Sequence, residues 1–234
     1  MRAVVFDLFG TLVPEFPLAD WEAMFEEMAS ALGMPVEAFR RGWRETIVER
    51  QTGGFRTVEE NVRAICERAG VEPSPEGLAR ALEARHRLYV RGFRPRPDAV
   101  PTLTWLRERG YRTALVSMCA PDTPAFWHAS PLSGLVEVLV FSCEVGLRKP
   151  DAAIYLAAAR GLGVEPSACL YVGDGGYREL TGAQAVGMHP VRIVDPAETG
   201  EVLRPEPDDW QGPTISSLGE LRRLLEAEPW VRRG

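Results

Sequence analysis

The chain has 234 residues, 45% of them hydrophobic and 26% charged, a balance ordinary for a globular protein with a substantial core and room for one domain plus a smaller insert. A formal net charge of −6 at pH 7 supplies no basic field for gripping a phosphate backbone, so nucleic acid is not an expected partner. No apolar run approaches the roughly 20 residues that span a bilayer, and no charged-then-apolar leader opens the chain. No membrane partner is therefore expected, and a cytoplasmic location is the default reading.

The first predicted element, Arg2 to Phe6, is a short apolar run that ends in Asp7 and a turn containing Gly10. It reads as a buried parallel strand with a carboxylate at its carboxyl end. Four helix-like segments follow: Leu18–Leu32, Pro35–Arg50, Thr57–Ala69 and Pro75–Val90, punctuated by Gly33, Gly53-Gly54, Gly70 and Gly92. An all-helical stretch placed directly after a first strand cannot belong to its sheet, so residues 14–94 are expected to form a separate bundle. Pro14–Pro17 and Arg94–Pro97 would be its proline-stiffened linkers.

From about residue 95 onward, helix and strand alternate. Helical periodicity marks Val100–Arg109, Ala152–Gly161 and Glu179–Val186, while Thr113–Ser117, Val136–Phe141, Ala168–Asp174 and Pro190–Val194 read as strands. A closing strand and helix lie within Thr214–Glu226, and Asp195–Pro213 reads as a solvated loop. The alternation predicts an α/β fold: a doubly wound parallel sheet with helices on both faces, made of residues 1–13 and 95–234. Such sheets bind ligands beyond the carboxyl ends of their strands, where Asp7, Ser117 and Asp174 fall.

Four cysteines, Cys66, Cys119, Cys143 and Cys169, stand far apart with no CxxC pair and no His at zinc spacing, so buried thiols are expected. His86, His128 and His189 have no partner spacing that suggests catalysis. Trp21, Trp43 and Trp105 fall on helical apolar faces and read as core. Among 27 basic residues, 26 are Arg and one, Lys149, is Lys. Surface solubility is a poor reason for that exception. A compact ammonium with three donors can touch a carboxylate and a phosphoryl oxygen together, whereas a planar guanidinium is too wide. Pro150 restricts the Lys149 backbone to an extended form.

Four ordered segments, Asp7-Leu8-Phe9-Gly10-Thr11-Leu12, Ser117, Lys149-Pro150 and Gly173-Asp174-Gly175-Gly176-Tyr177-Arg178-Glu179, resemble the motifs of the haloacid dehalogenase superfamily. The likeness covers the whole chain, the helical insert matching that superfamily's mobile cap. It implies a Rossmann-like core and a nucleophilic Asp7 that forms an aspartyl intermediate, with Thr11 and Ser117 donating to the transferring group and Lys149 clamping charge. The alternatives are plain: Asp7 as a turn cap, Ser117 as a helix N-cap, and Glu179 as a helix-entry acid placed by the dipole. Asp7, Asp174 and Glu179 converging around Lys149 would repel one another, and a hard divalent cation resolves this. The resemblance implies the same Mg²⁺, held by Asp7, the Phe9 backbone carbonyl and Asp174, with Glu179 on the metal side. Gly10, Met118 and Gly175 beside these motifs, and Arg44 and Arg50 on the second predicted helix, are candidates for contact with a small anionic substrate. Tyr177 and Arg178 would stand at the pocket mouth. Nothing in the sequence fixes the oligomeric state.

Phosphatases of the superfamily usually carry a second Asp two residues after the nucleophile, where this chain has Phe9. Losing that general acid costs about 10²–10⁴-fold. The superfamily's dehalogenases carry an aromatic residue there and need no metal, but pair the motif-two Ser with Asn, here Met118, and lack the first motif-four acid, here Asp174. Three readings therefore stand. A Mg²⁺-dependent phosphatase of a small phosphorylated metabolite ranks first, ahead of a metal-independent 2-haloacid dehalogenase and a slow or non-catalytic binding protein.

Overall fold

The computed structural model describes residues 1–198, 200–202 and 205–227. Six strands, β1 (Ala3–Phe6), β2 (Arg112–Ser117), β3 (Val138–Phe141), β4 (Cys169–Gly173), β5 (His189–Ile193) and β6 (Thr214–Ile215), make one sheet in the order β3-β2-β1-β4-β5-β6, with every pair parallel. β1 and β4 are buried along their whole lengths, which is why both read as unbroken apolar runs rather than alternating ones. The strand order turns back beside β1, so the crevice at the carboxyl ends of β1, β2 and β4 is the expected ligand site.

The helices between β1 and β2 are α1 (Leu18–Leu32), α2 (Val36–Glu45), α3 (Ile47–Gln51), α4 (Val58–Arg68), α5 (Pro75–Gly92) and α6 (Ala99–Glu108). The predicted single helix Pro35–Arg50 is two, broken at Thr46. There the hydroxyl donates back to Gly42 O at 2.8 Å and accepts from Arg50 Nη1 at 3.1 Å. A β-branched hydroxyl that bonds its own preceding turn competes with the helix ladder, and the chain bends. The remaining helices are α7 (Thr123–Ala129), α8 (Ser142–Val145), α9 (Ala152–Leu162), α10 (Glu179–Ala185) and α11 (Glu220–Ala227). α7 and α8 carry too few periodic residues to show in the sequence.

Alternate strand residues feed two apolar clusters, one on each face of the sheet. Ala3, Val5, Ala114 and Tyr171 pack with Ile154 and Ala158 of α9 and Leu180 of α10. On the other face, Val4, Phe6, Leu115 and Leu170 pack with Leu103 and Leu106 of α6 and Leu221 of α11. That second cluster continues without a break into Met24, Phe25 and Met28 of α1, Phe39 of α2 and Leu88 of α5. The five helices α1–α5 stand outside the sheet, yet their apolar interior is continuous with one of its faces. Among the described residues, no helix is long and apolar enough to cross a membrane.

Candidate active site

Asp7 follows the last residue of β1, and its N–H donates to Val172 O of β4 at 2.9 Å. The chain then turns tightly, with Leu8 O accepting from the N–H groups of Thr11, Leu12 and Val13. Gly10 sits at φ +78°, and a Cβ there would lie 2.7 Å from Asp174 Cγ, so only glycine lets the turn close against the fourth strand. Arg96 fixes this turn from behind. Its Nε and Nη2 donate to Thr11 O (2.8 Å) and Gly10 O (2.9 Å), and Nη1 meets Asp195 at 2.6 Å. The segment Arg94–Pro97 is therefore an anchor for the first motif as well as a connection.

Lys149, 1% exposed, reaches Asp7 Oδ1 at 2.5 Å and also donates to Glu179 Oε2. Glu179, the first residue of α10, accepts further from Tyr171 Oη (2.8 Å) and Gly175 N–H (3.0 Å), so both its oxygens are engaged by donors. Gly173 makes room for it, since a Cβ there would fall 2.2 Å from Glu179 Oε1. Asp174 follows β4 and takes Gly176 N–H at 2.9 Å. Ligand oxygens of Asp7, Asp174 and Glu179 lie within 4.8 Å of one another, all three residues buried. Burial pushes the Glu179 carboxyl up to about 8, with Asp7 adding and Lys149 opposing. Burial likewise raises Asp7 against the pull of Lys149. Burial alone would lower the Lys149 ammonium, but the Asp7 and Glu179 carboxylates outweigh it and hold the ammonium above its usual value. Such opposed shifts are what a crowded, desolvated charge cluster produces.

Ser117 ends β2, the strand beside β1. It caps no helix, because the next one, α7, begins only at Thr123, so neither the N-cap reading nor a helix dipole acts at this position. The Ser117 and Thr11 hydroxyl oxygens are both buried without a hydrogen-bond partner among the described residues. Buried hydroxyls are seldom left unpaired, and an incoming oxygen-rich ligand is one way to satisfy them. All four cysteines are buried and free, as expected, but Cys119 and Cys143 lie with sulfurs 3.6 Å apart, a proximity their sequence separation hides.

Above Asp7 opens a cavity of about 230 Å³ walled by α1, α2, α3 and α5. Arg44, Arg50 and Met118 line it, as do Asp174 and Glu179. Gly10 and Gly175 do not: they are conformational pieces of the two turns, and Gly176 takes the position facing the cavity. Trp21 and Trp43, read from sequence as core, also form its wall. Phe9 lines it too, wedged against Phe16, Tyr89 and Phe93 with ring centroids 5.3–6.0 Å away. Tyr177, at φ +54°, accepts a 2.7 Å hydrogen bond from Gln51 Nε2, tying α3 to the motif-four turn, whereas Arg178 points to solvent. Most described residues of the segment 195–213 are exposed, as expected of a solvated loop, yet the segment also bonds to the motif-four turn. Pro205 O and Glu206 O accept from Tyr177 and Arg178 N–H, and the Asp208 carboxylate takes Leu180 N–H at 2.7 Å and Thr181 Oγ1 at 2.7 Å. The Asp208 carboxylate thus partners the backbone donors at the start of α10, a role composition does not reveal.

The sequence model of haloacid dehalogenase-like hydrolases matches residues 1–187. A glyceraldehyde 3-phosphate phosphatase of Methanopyrus kandleri is 31% identical over 207 residues, covering 82% of this chain and 84% of that protein. An (S)-2-haloacid dehalogenase of Pseudomonas sp. is 27% identical over 96% of both chains. Among solved structures, a haloacid dehalogenase-type phosphatase of Thermococcus onnurineus superposes with a TM-score of 0.66 at 25% identity, covering 97% of this chain and 99% of that one. With its four motifs gathered at the strand ends as described, the chain belongs to the haloacid dehalogenase-like hydrolases.

Proposed function

We propose that this hydrolase is a Mg²⁺-dependent phosphatase of a small phosphorylated metabolite, with Asp7 as nucleophile and residues 14–94 acting as a cap over it. One observation carries the reading: Asp7, Asp174 and Glu179 form one buried carboxylate cluster, in which a single ammonium, Lys149, pairs with Asp7 and Glu179. Three carboxylates facing one Lys leave a surplus of negative charge that a haloacid would only worsen, and that a hard divalent cation matches. The donor set fits such an ion. Asp7, Asp174 and the Phe9 carbonyl would hold it, and Glu179, already committed to Lys149 and Tyr171, would act on it through charge. When bound, the cation supplies charge neutralisation for the phosphoryl oxygens.

Asp7 then attacks phosphorus with one carboxylate oxygen, and the bond from phosphorus to the ester oxygen breaks. Lys149 keeps Asp7 ionised and aimed, while the Thr11 and Ser117 hydroxyls donate to phosphoryl oxygens. No acid stands at residue 9, so the departing oxygen takes its proton from solvent, and esters of acidic hydroxyls are favoured. Water next attacks the aspartyl phosphate, releasing phosphate and restoring Asp7. The relatives that are named phosphatases, including a ribulose-1,5-bisphosphate 5-phosphatase at 29% identity, support the same chemistry. The test is turnover of 4-nitrophenyl phosphate with and without Mg²⁺. Hydrolysis that needs the metal upholds the reading. Metal-independent chloride release from 2-chloropropionate would replace it with the dehalogenase reading, which Phe9 favours. Silence in both assays would leave a binding protein.

A further inference from the structure

Arg50 is 4% exposed, lines the same cavity as Asp7, and has no carboxylate partner among the described residues. Its guanidinium lies over the Trp43 ring, 4.0 Å from the centroid. Nη1 is spent on three neutral acceptors: Trp43 O (3.0 Å), Thr46 Oγ1 (3.1 Å) and Asn61 Oδ1 (3.0 Å). Nε and Nη2 have no hydrogen-bond partner among the described residues. The other buried arginine on this wall, Arg85, is answered by Asp122 at 2.9 Å, so its charge is compensated where that of Arg50 is not. Burial, with Arg85 adding, drives the Arg50 guanidinium down to about 9. An uncompensated buried cation is costly, and here Trp43, Thr46 and Asn61 hold it in one place with half its donor fork open. Such a fork suits the two oxygens of a carboxylate or phosphate.

We infer that Arg50 is the seat for a second oxyanion of the substrate, so that this enzyme takes a phosphate monoester bearing a further carboxylate or phosphate at the far end of a short body. The inference rests on the phosphatase reading for the first anion and adds the second. Aromatic rings of Phe9, Trp21, Phe25 and Trp43 line the same cavity. They bind the body by area and leave recognition to the charge at each end.

The experiment compares 4-carboxybenzylphosphonate with its neutral isostere 4-carbamoylbenzylphosphonate by calorimetry in Mg²⁺, and the matching aryl phosphates, 4-carboxyphenyl and 4-carbamoylphenyl phosphate, by kinetics. The bisphosphonate of the same ring distinguishes phosphate from carboxylate as the second group. The native protein is expected to bind the carboxylate about 10- to 100-fold more tightly than the amide, with the difference appearing in KM rather than kcat. Arg50→Gln should erase that preference to within about 2-fold, and Arg50→Lys should keep part of it. Equal binding of the two phosphonates by the native protein overturns the inference, as does a preference that survives Arg50→Gln. If Arg50→Gln does not fold, the native comparison decides alone. Discrimination between phosphonates without hydrolysis of either phosphate sinks the phosphatase reading and keeps the anion seat. Hydrolysis of both at equal KM does the reverse.

Discussion

The floor and the roof of the cavity are built on opposite principles. On the floor, Asp7 and Asp174 just past their strands, Lys149 in a loop, Tyr171 within β4 and Glu179 at the start of α10 are held by charge-assisted bonds of 2.5–3.0 Å. The roof consists of helices whose facing side chains are aromatic rings, with cations that are either paired, as Arg40 and Arg85 are, or left open, as Arg50 is. Rigid strand ends hold charges against their own repulsion, which chemistry demands. A helical wall can exchange one side chain without moving the next, so binding can vary while the chemistry stays fixed. The relatives fit this division, since phosphatases and dehalogenases both align over most of the chain.

The largest effects should therefore come from the floor, and two variants separate catalysis from stability. Asp7→Asn removes the proposed nucleophile and should lower kcat by at least about 10⁴-fold. It also removes a buried charge, so the thermal midpoint should shift by no more than about 3 °C. Retained activity in this variant contradicts the assignment. Lys149→Met is the mirror case. It strands buried carboxylates without their cation, which costs about 3–5 kcal/mol and should lower the midpoint by about 10 °C as well as abolishing turnover. Differential scanning calorimetry of both variants, each checked for activity, tells the two kinds of loss apart.

How much of this was legible in the sequence follows the same boundary. Unbroken apolar runs ending in a polar residue marked β1, β2 and β4, and the solitary Lys149 marked itself, because charges that must be buried leave few substitutes. The sheet and the helices on both its faces follow from that alternation. The break at Thr46 did not show, since it depends on a hydroxyl turning back to Gly42 rather than on a Gly or Pro. Arg96, Asp195 and Asp208 also escaped notice. One is hidden among 26 arginines and the others in an acidic loop; Arg96 and Asp208 act by bonding backbone groups distant in sequence, and Asp195 by pairing with Arg96. Arg44 and Arg50 looked alike on paper, but in the structure Arg44 is exposed at the cavity wall and Arg50 is buried in it.

A smaller effect, and a sharper test of the boundary, lies at Phe9, which belongs to the turn of the floor but packs into the roof. Phe9→Asp places an acid two residues after the proposed nucleophile, where the phosphatase reading needs a proton donor. Alkyl phosphates, whose leaving groups need a proton, should gain about 10- to 100-fold in kcat relative to 4-nitrophenyl phosphate. The same change removes a ring packed on Phe16, Tyr89 and Phe93 and should cost stability by about 2–4 kcal/mol. If the alkyl-to-aryl ratio does not move, departure of the leaving group is not limited by its protonation.

The smallest expected change tests the seam itself. Gln51 Nε2 donates to Tyr177 Oη at 2.7 Å, joining the end of α3 to the turn that carries Asp174 and Glu179. Neither group bonds Lys149 or Asp7, so the bond ties α3 to the turn without entering the carboxylate–lysine cluster. Gln51→Ala removes one partly buried hydrogen bond, about 0.5–1.5 kcal/mol, and leaves the floor intact. KM for a small aryl phosphate should rise about 2- to 10-fold while kcat stays within 2-fold. Tyr177→Phe removes the same bond from the other side, so the double variant should show no further rise. An additive rise, or a fall in kcat that matches the rise in KM, would mean that the seam positions the carboxylates as well as holding the helices over them.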